Sequence, residues 1–326
     1  MAAQNFLNAA GSLRNKIRVV CIAAVFWAAG WLSSCRRDDD DGGCQNTYES
    51  LVDGGLQCGE PFEFEDPPGE PGLFGIKAVP YVNLDLAGVV RLDTVATVLV
   101  LFRGEEDELG LDLDVKVCHV EFPRVEIPGQ PDPTYLDLVP EAYDALDPVP
   151  VGGWLSGSQT CDSIGTGTAV LVFGARLPDE GLGPLPTDPA TQTCAGDTDL
   201  GCLYDLDGDG YAGATMITEH YPVLDIRRLE VAMRTAVSLE GLMVSQQRMV
   251  GSIQMQLDIQ ILGCHVWDPA DSAERRCNRE ETRVVQAMRP TVSQLNHPES
   301  PFVAVRVPSD LTCQELREHA QDYFGH

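Results

Sequence analysis

The stretch MVGSIQMQLDIQILGCHVW (249–267) alternates apolar and polar side chains along most of its length. Met249, Ile253, Met255, Leu257, Ile259 and Ile261 stand against Ser252, Gln254, Gln256, Asp258 and Gln260. A period of two lines one face of an extended chain, whereas a helix would scatter these residues around its axis. LGLDLDVKVCHVEF (109–122) has the same design, with Leu109, Leu111, Leu113, Val115 and Val117 opposed to Asp112, Asp114 and Lys116. After Val117 the phase flips, so that Cys118, Val120 and Phe122 take the apolar face, and a flip within one strand predicts a bulge or bend. Such strands have one buried face each, which predicts a mainly β, antiparallel fold: a sandwich or a barrel-like body.

Setting Cys118-His119-Val120 on Cys264-His265-Val266 superposes the two strands without a gap. Leu111 then matches Leu257, Asp112 matches Asp258 and Val115 matches Ile261. The match predicts a body of two similar halves, 74–176 and 218–326, joined by a turn-rich loop over 177–217. Helix is scarce. TCQELREHAQDYF (312–324) is the best candidate, with Thr312 and Glu315 as a capping box and an apolar face of Cys313, Leu316, Ala320, Tyr323 and Phe324.

The N-terminus sets the compartment. Arg14, Lys16 and Arg18 precede VVCIAAVFWAAGWL (19–32), an uncharged run of fourteen residues. It is shorter than the 17–25 or so residues of a spanning helix and reads as a secretory signal. The run ends in Leu32-Ser33-Ser34-Cys35, which resembles the lipobox of bacterial lipoproteins. The resemblance implies a signal peptide over 1–34, lipid on Cys35, and attachment to a membrane through that lipid. Arg36, where a retained protein of this class would carry Asp, implies the outer membrane of the cell envelope, on its periplasmic side or at the cell surface. Residues 35–73 are acidic and rich in Gly and Pro, the composition of a tether.

Loss of residues 1–34 takes three positive charges and moves the formal charge from −28 to −31. That surface repels nucleic acid and excludes it as a partner. Nine cysteines remain after Cys21 leaves with the signal and Cys35 takes lipid, and disulfides are their expected state outside the cytoplasm. Spacing pairs Cys44 with Cys58, Cys118 with Cys161, Cys194 with Cys202 and Cys264 with Cys277, which leaves Cys313 over.

Chemistry concentrates in DLDGDGYAG (205–213). Asp205, Asp207 and Asp209 alternate in a loop bent by glycine, an arrangement that can aim hard oxygens at one Ca²⁺, with the Tyr211 carbonyl as a further ligand. An EF-hand needs a bidentate Glu at its twelfth position, and Met216 stands there instead. The loop is similar to the shorter Asp-x-Asp-Gly-Asp-Gly calcium loops of extracellular proteins, with Asp197 or Asp199 as additional oxygens, and calcium is the expected cofactor, in a structural role. His119 and His265 lie next to cysteines on strands, so each imidazole should face away from its disulfide, as an exposed or capping group.

There is no G-x-S-x-G, no H-E-x-x-H and no P-loop, and catalysis is not expected. The sequence reads as a lipid-anchored structural or interaction module of the envelope, and it does not say whether the partner is a protein or a small apolar ligand. The alternatives are a carrier holding a small apolar ligand within the β body, and an enzyme of a kind these motifs do not reveal.

Overall fold

The computed structural model describes residues 58–61, 72–86, 90–106, 110–127, 129–222, 224–294 and 300–325. Cys35, Cys44, the signal and most of the tether lie outside the described residues. The chain runs β1 (Gly72–Ala78), β2 (Tyr81–Leu86), β3 (Val90–Val95), β4 (Thr97–Glu106), β5 (Leu111–Glu121) and β6 (Tyr135–Leu138). After helix α1 (Pro140–Asp144) come β7 (Val149–Leu155), β8 (Ser163–Thr166), β9 (Ala169–Phe173), β10 (Ala175–Arg176) and β11 (Cys202–Leu203). Next are β12 (Ala214–Glu219), β13 (Ile226–Ser245), β14 (Arg248–Asp268) and β15 (Ala273–Arg276). Helix α2 (Arg279–Ala287), β16 (Pro290–Gln294), β17 (Pro301–Arg306), α3 (Cys313–Glu318) and α4 (Ala320–Phe324) complete it.

The fold is mainly β and antiparallel, as expected. Following the ladders from β1 through β4, β5, β7, β8, β13, β14 and β17 returns to β1, so these strands close a ring. Closure removes the exposed edges that an open sheet would present. A ring of about eight strands has an interior just wide enough for side chains. Phe74, Ile76, Phe102, Met243, Met249 and Phe302 all belong to the buried core that these strands share.

The hairpin β13–β14 is longer than the ring needs. Its tip lies in the ring, where Gly241 pairs with Ile164 of β8 and Gly251 with Phe302 of β17. Its distal half leaves the ring and becomes the spine of a second sheet. There β9 and β12 pair with β13, β16 and β15 pair with β14, and β2–β3 and β6 extend the two flanks.

The phase flip has the expected cause. Val100 pairs with Val117 while Leu99 pairs with His119, so Cys118 is an inserted bulge residue. Cys118 turns to the outer face, and Val120 and Phe122 return to the core. The partner hairpin is bulged as well, because Glu230 pairs with Gly263 and Val231 with Ile261, leaving Leu262 over. The two hairpins thus share a device, though the second bulge falls two residues earlier than the Cys-His-Val superposition places it. Cys264 consequently points into the core, whereas Cys118 points out.

The outer face of β4 and β5 is covered by the C-terminus. Thr312 and Glu315 form the reciprocal capping box, and Leu316 is wholly buried with Leu73, Leu99, Leu101 and Val307. The helix breaks at His319 and resumes as α4. Helix α2 was not expected. Its signal was Asn278 with Glu281, a capping box of the same kind, hidden in a stretch with only Val285 buried.

Among the described residues four disulfides mark a protein of an oxidising, extracytoplasmic compartment. Cys194–Cys202 and Cys264–Cys277 form as the spacing predicts. The other pairings are corrected to Cys58–Cys161 and Cys118–Cys313. The backbones of Glu60 and Thr160 are hydrogen-bonded (2.8 Å), which lays the strip 58–61 on the turn carrying Cys161. The bulge aims Cys118 at the docking site of α3, whose first residue is Cys313. Neither approach is visible in sequence spacing. Among the described residues no helix is long and apolar enough to cross a membrane.

Candidate metal centre

The segment 177–213 crosses the outer face of β13 and β14. Leu203 is fully buried there with Ala175, Leu177, Ala232 and Leu262. The ladder β10–β11 and the Cys194–Cys202 disulfide brace it. This anchoring delivers the loop 205–213 to a fixed place. Asp205 and Gly213 bridge across its base, with Leu206 N–H donating to the Gly213 carbonyl (2.9 Å) and Gly213 N–H to the Tyr204 carbonyl (2.8 Å). Gly213 has φ +118°, and a side chain there would press on the Val231 carbonyl of β13, 2.8 Å from its Cβ. Only glycine lets the loop lie this close to the sheet.

Asp205, Asp207 and Asp209 each offer a carboxylate oxygen, and these oxygens lie within 4.8 Å of one another. The backbone holds them in place. Gly208 and Gly210 N–H donate to the two oxygens of Asp205 (2.8 Å each), Tyr211 N–H to Asp209 Oδ1 (2.9 Å), and Thr215 N–H to Asp207 Oδ2 (2.7 Å). The Thr215 hydroxyl donates to Asp209 Oδ2 (2.9 Å). Asp207 Oδ1 is buried and has no partner. Burial raises the Asp207 carboxyl above its ordinary range, with the Thr215 bonds pulling it back and Asp209 pushing it up. Three convergent carboxylates, one with an orphaned oxygen, are a donor set that a cation completes. The group fits a metal ion.

Asp197 and Asp199 are not brought to this centre. Asp199 accepts the N–H groups of Ala195 and Gly196 (2.8 and 2.9 Å), and Asp197 is exposed beside Arg176 (3.5 Å). Met216 is buried in β12, so the loop runs directly into a strand, unlike an EF-hand. No family model matches this chain. No curated protein and no solved structure matches it either.

Tyr211 does more than offer a carbonyl. Its ring meets the edge of His265 (centroids 4.7 Å apart), and the Arg276 guanidinium lies over it at 4.9 Å. Beneath them Glu230 is 3% exposed, held by His265 Nε2 (3.1 Å) and Arg276 Nη2 (2.6 Å). His265 does face away from its disulfide, as expected, but it is buried rather than exposed because the loop covers it. His265 and Arg276 are cross-strand neighbours, and the adjacent Cys264–Cys277 bond ties their strands together. The aspartate loop is thereby clamped to a buried ionic network, an arrangement that neither stretch of sequence reveals alone.

Proposed function

We propose that this chain is a lipid-anchored structural or interaction module of the bacterial envelope, carried by Cys35 in the outer membrane, whose connecting loop is clipped by a structural Ca²⁺. The observation that carries the reading is the convergence of Asp205, Asp207 and Asp209, with the orphaned Asp207 oxygen, on the loop that leads into β12. A divalent cation there would offset two of the three carboxylate charges and hold that segment on β13. The oxygen-only donor set favours a hard cation such as Ca²⁺. Without a twelfth-position Glu the affinity belongs on the order of 10⁻⁴–10⁻³ M, suited to extracellular calcium. With a strand on each side, the loop has no helix pair to open, which favours a clip over a switch. The charge of the surface repels nucleic acid.

Among the described residues the apolar recess between Leu84, Phe122, Leu136 and Val292 has a volume of about 10 Å³, room for one water, while the roomier cleft of about 460 Å³ is lined by Arg103, Glu105, Asp112 and Asp114, a charged lining that does not suit the apolar ligand of the carrier reading.

The test is thermal unfolding of the full chain in detergent, in chelator and in calcium. Calcium at roughly ten times its Kd stabilises by about 1.4 kcal/mol, a rise of a few degrees. An unchanged melting temperature, or an undiminished response in Asp207→Ala, removes the calcium assignment. The anchor is tested separately by palmitate labelling in cells, which Cys35→Ala should abolish; labelling that survives the substitution defeats the lipoprotein reading.

A further inference from the structure

The second sheet ends in an open edge. Among the described strands β3 pairs with β2 alone, and it is the longest of those bonded on one side only. Alternate residues of such an edge turn their N–H and C=O groups outward, a template for a further strand. A proline, a bulge or charges of one sign would blunt the edge against copies of itself. β3 has none of these. Its sequence is VRLDTV, its register with β2 is unbroken, and its two charges cancel.

The side chains of this edge complement themselves. Leu92 is half-buried and packs on the core, whereas Arg91 and Asp93 are exposed on the opposite face. Residues directly opposite in an antiparallel pair share a face, so a two-fold axis between two β3 strands sets one residue opposite its own copy. An axis at Arg91 puts Arg91 against Arg91, and one at Asp93 puts Asp93 against Asp93. An axis at Leu92 instead sets Arg91 opposite Asp93, twice. Axes further along leave much of the strand unpaired. The bonds within each copy leave room for this register. Arg91 Nε donates to Asp85 (2.8 Å) and Asp93 Oδ1 accepts from Asn83 (2.6 Å), so the Arg91 Nη groups and Asp93 Oδ2 are available across the seam. A polar row of Asp85, Arg91, Asp93 and Asn83 then crosses four strands.

We propose that two copies of this chain pair edge to edge through β3, antiparallel about Leu92, and so join their second sheets into one. The partner is a second copy of the chain, and the pairing rests on neither the lipid on Cys35 nor the calcium reading of the aspartate loop. The formal charge of −28 opposes self-association, but salt of about 0.15 M screens it beyond about 8 Å, and the seam itself is neutral. Six residues make a small contact, so the dimer is a weak one in solution.

The test is sedimentation velocity of the full chain in density-matched detergent, at about 100 µM protein and about 0.15 M salt. Cys44→Ala throughout keeps an intermolecular disulfide from contributing. The chain with its native edge should sediment as a dimer. Arg91→Glu and Asp93→Arg should each be monomeric, because each sets like charges opposite one another at the seam. An equimolar mixture of the two variants should recover the dimer. In the mixed pair the acid introduced at position 91 meets the base introduced at position 93, and the native Asp93 of one copy meets the native Arg91 of the other. That recovery separates the seam from a folding defect, since two misfolded variants do not repair each other. A native edge that stays monomeric, a dimer that persists in both variants, or a mixture that fails to re-form it overturns the proposal.

Discussion

Replacing Cys118 and Cys313 together by alanine should lower the melting temperature by roughly 10 °C or more. The bond closes a loop of 195 residues, and the chain-entropy cost of such a loop in the unfolded state is worth about 5 kcal/mol. That figure is an upper one here, because Cys58–Cys161 closes an overlapping loop of 103 residues and already restricts part of the same chain. The double substitution leaves no lone thiol. It also leaves Leu316 and its apolar partners in place, so α3 still has a surface to dock on. Alanine at Cys194 and Cys202 provides the comparison: that loop spans eight residues, and its loss should cost about half as much. Equal shifts for the two pairs, or a fall of under about 2 °C for the first, would show that the long crosslink does not restrain the unfolded chain.

The same pair shows where the sequence is silent. Alternation marks β5 and β14 almost to the residue, because one-sided burial is a local property of a strand. The phase flip marks the Cys118 bulge for the same reason. Which strands become neighbours is not local. The partner of Cys118 depends on α3 docking across β4 and β5, and that of Cys58 on a backbone strip laid against Thr160. Ring closure depends likewise on β17 finding β1 and β14 at once.

The candidate site divides along the same line. Asp205, Asp207 and Asp209 are legible as a cation loop because their spacing and the intervening glycines act over a few residues. The clamp of Tyr211 by His265 and Arg276 comes from elements far apart in the chain. A sequence can suggest these residues only as isolated side chains.

Gly251→Ala should destabilise the protein by about 3 kcal/mol, read as a lower denaturant midpoint at unchanged slope. Gly241 and Gly251 are cross-strand partners at the seam where β13 and β14 meet β8 and β17. A Cβ on Gly251 would collide with the Glu240 carbonyl oxygen and come within 2.5 Å of Phe302 Cε1; one on Gly241 would strike the Val250 carbonyl and approach Phe302 Cζ at 3.0 Å. The Phe302 ring therefore lies against the glycine pair and fills the space their missing side chains leave. Neither glycine has a positive φ, so the cost is steric. Alanine also stiffens the unfolded chain, a gain of about 0.4–1 kcal/mol that offsets only part of the collision. Trimming the ring with Phe302→Leu in the Gly251→Ala background should recover some stability but not all, because the Glu240 carbonyl belongs to the ladder and cannot withdraw. Gly196→Ala, with open space around its Cβ, is the control and should sit near the wild type. A Gly251→Ala midpoint matching that control would mean that the seam is looser than the close pairing of β13 and β14 requires.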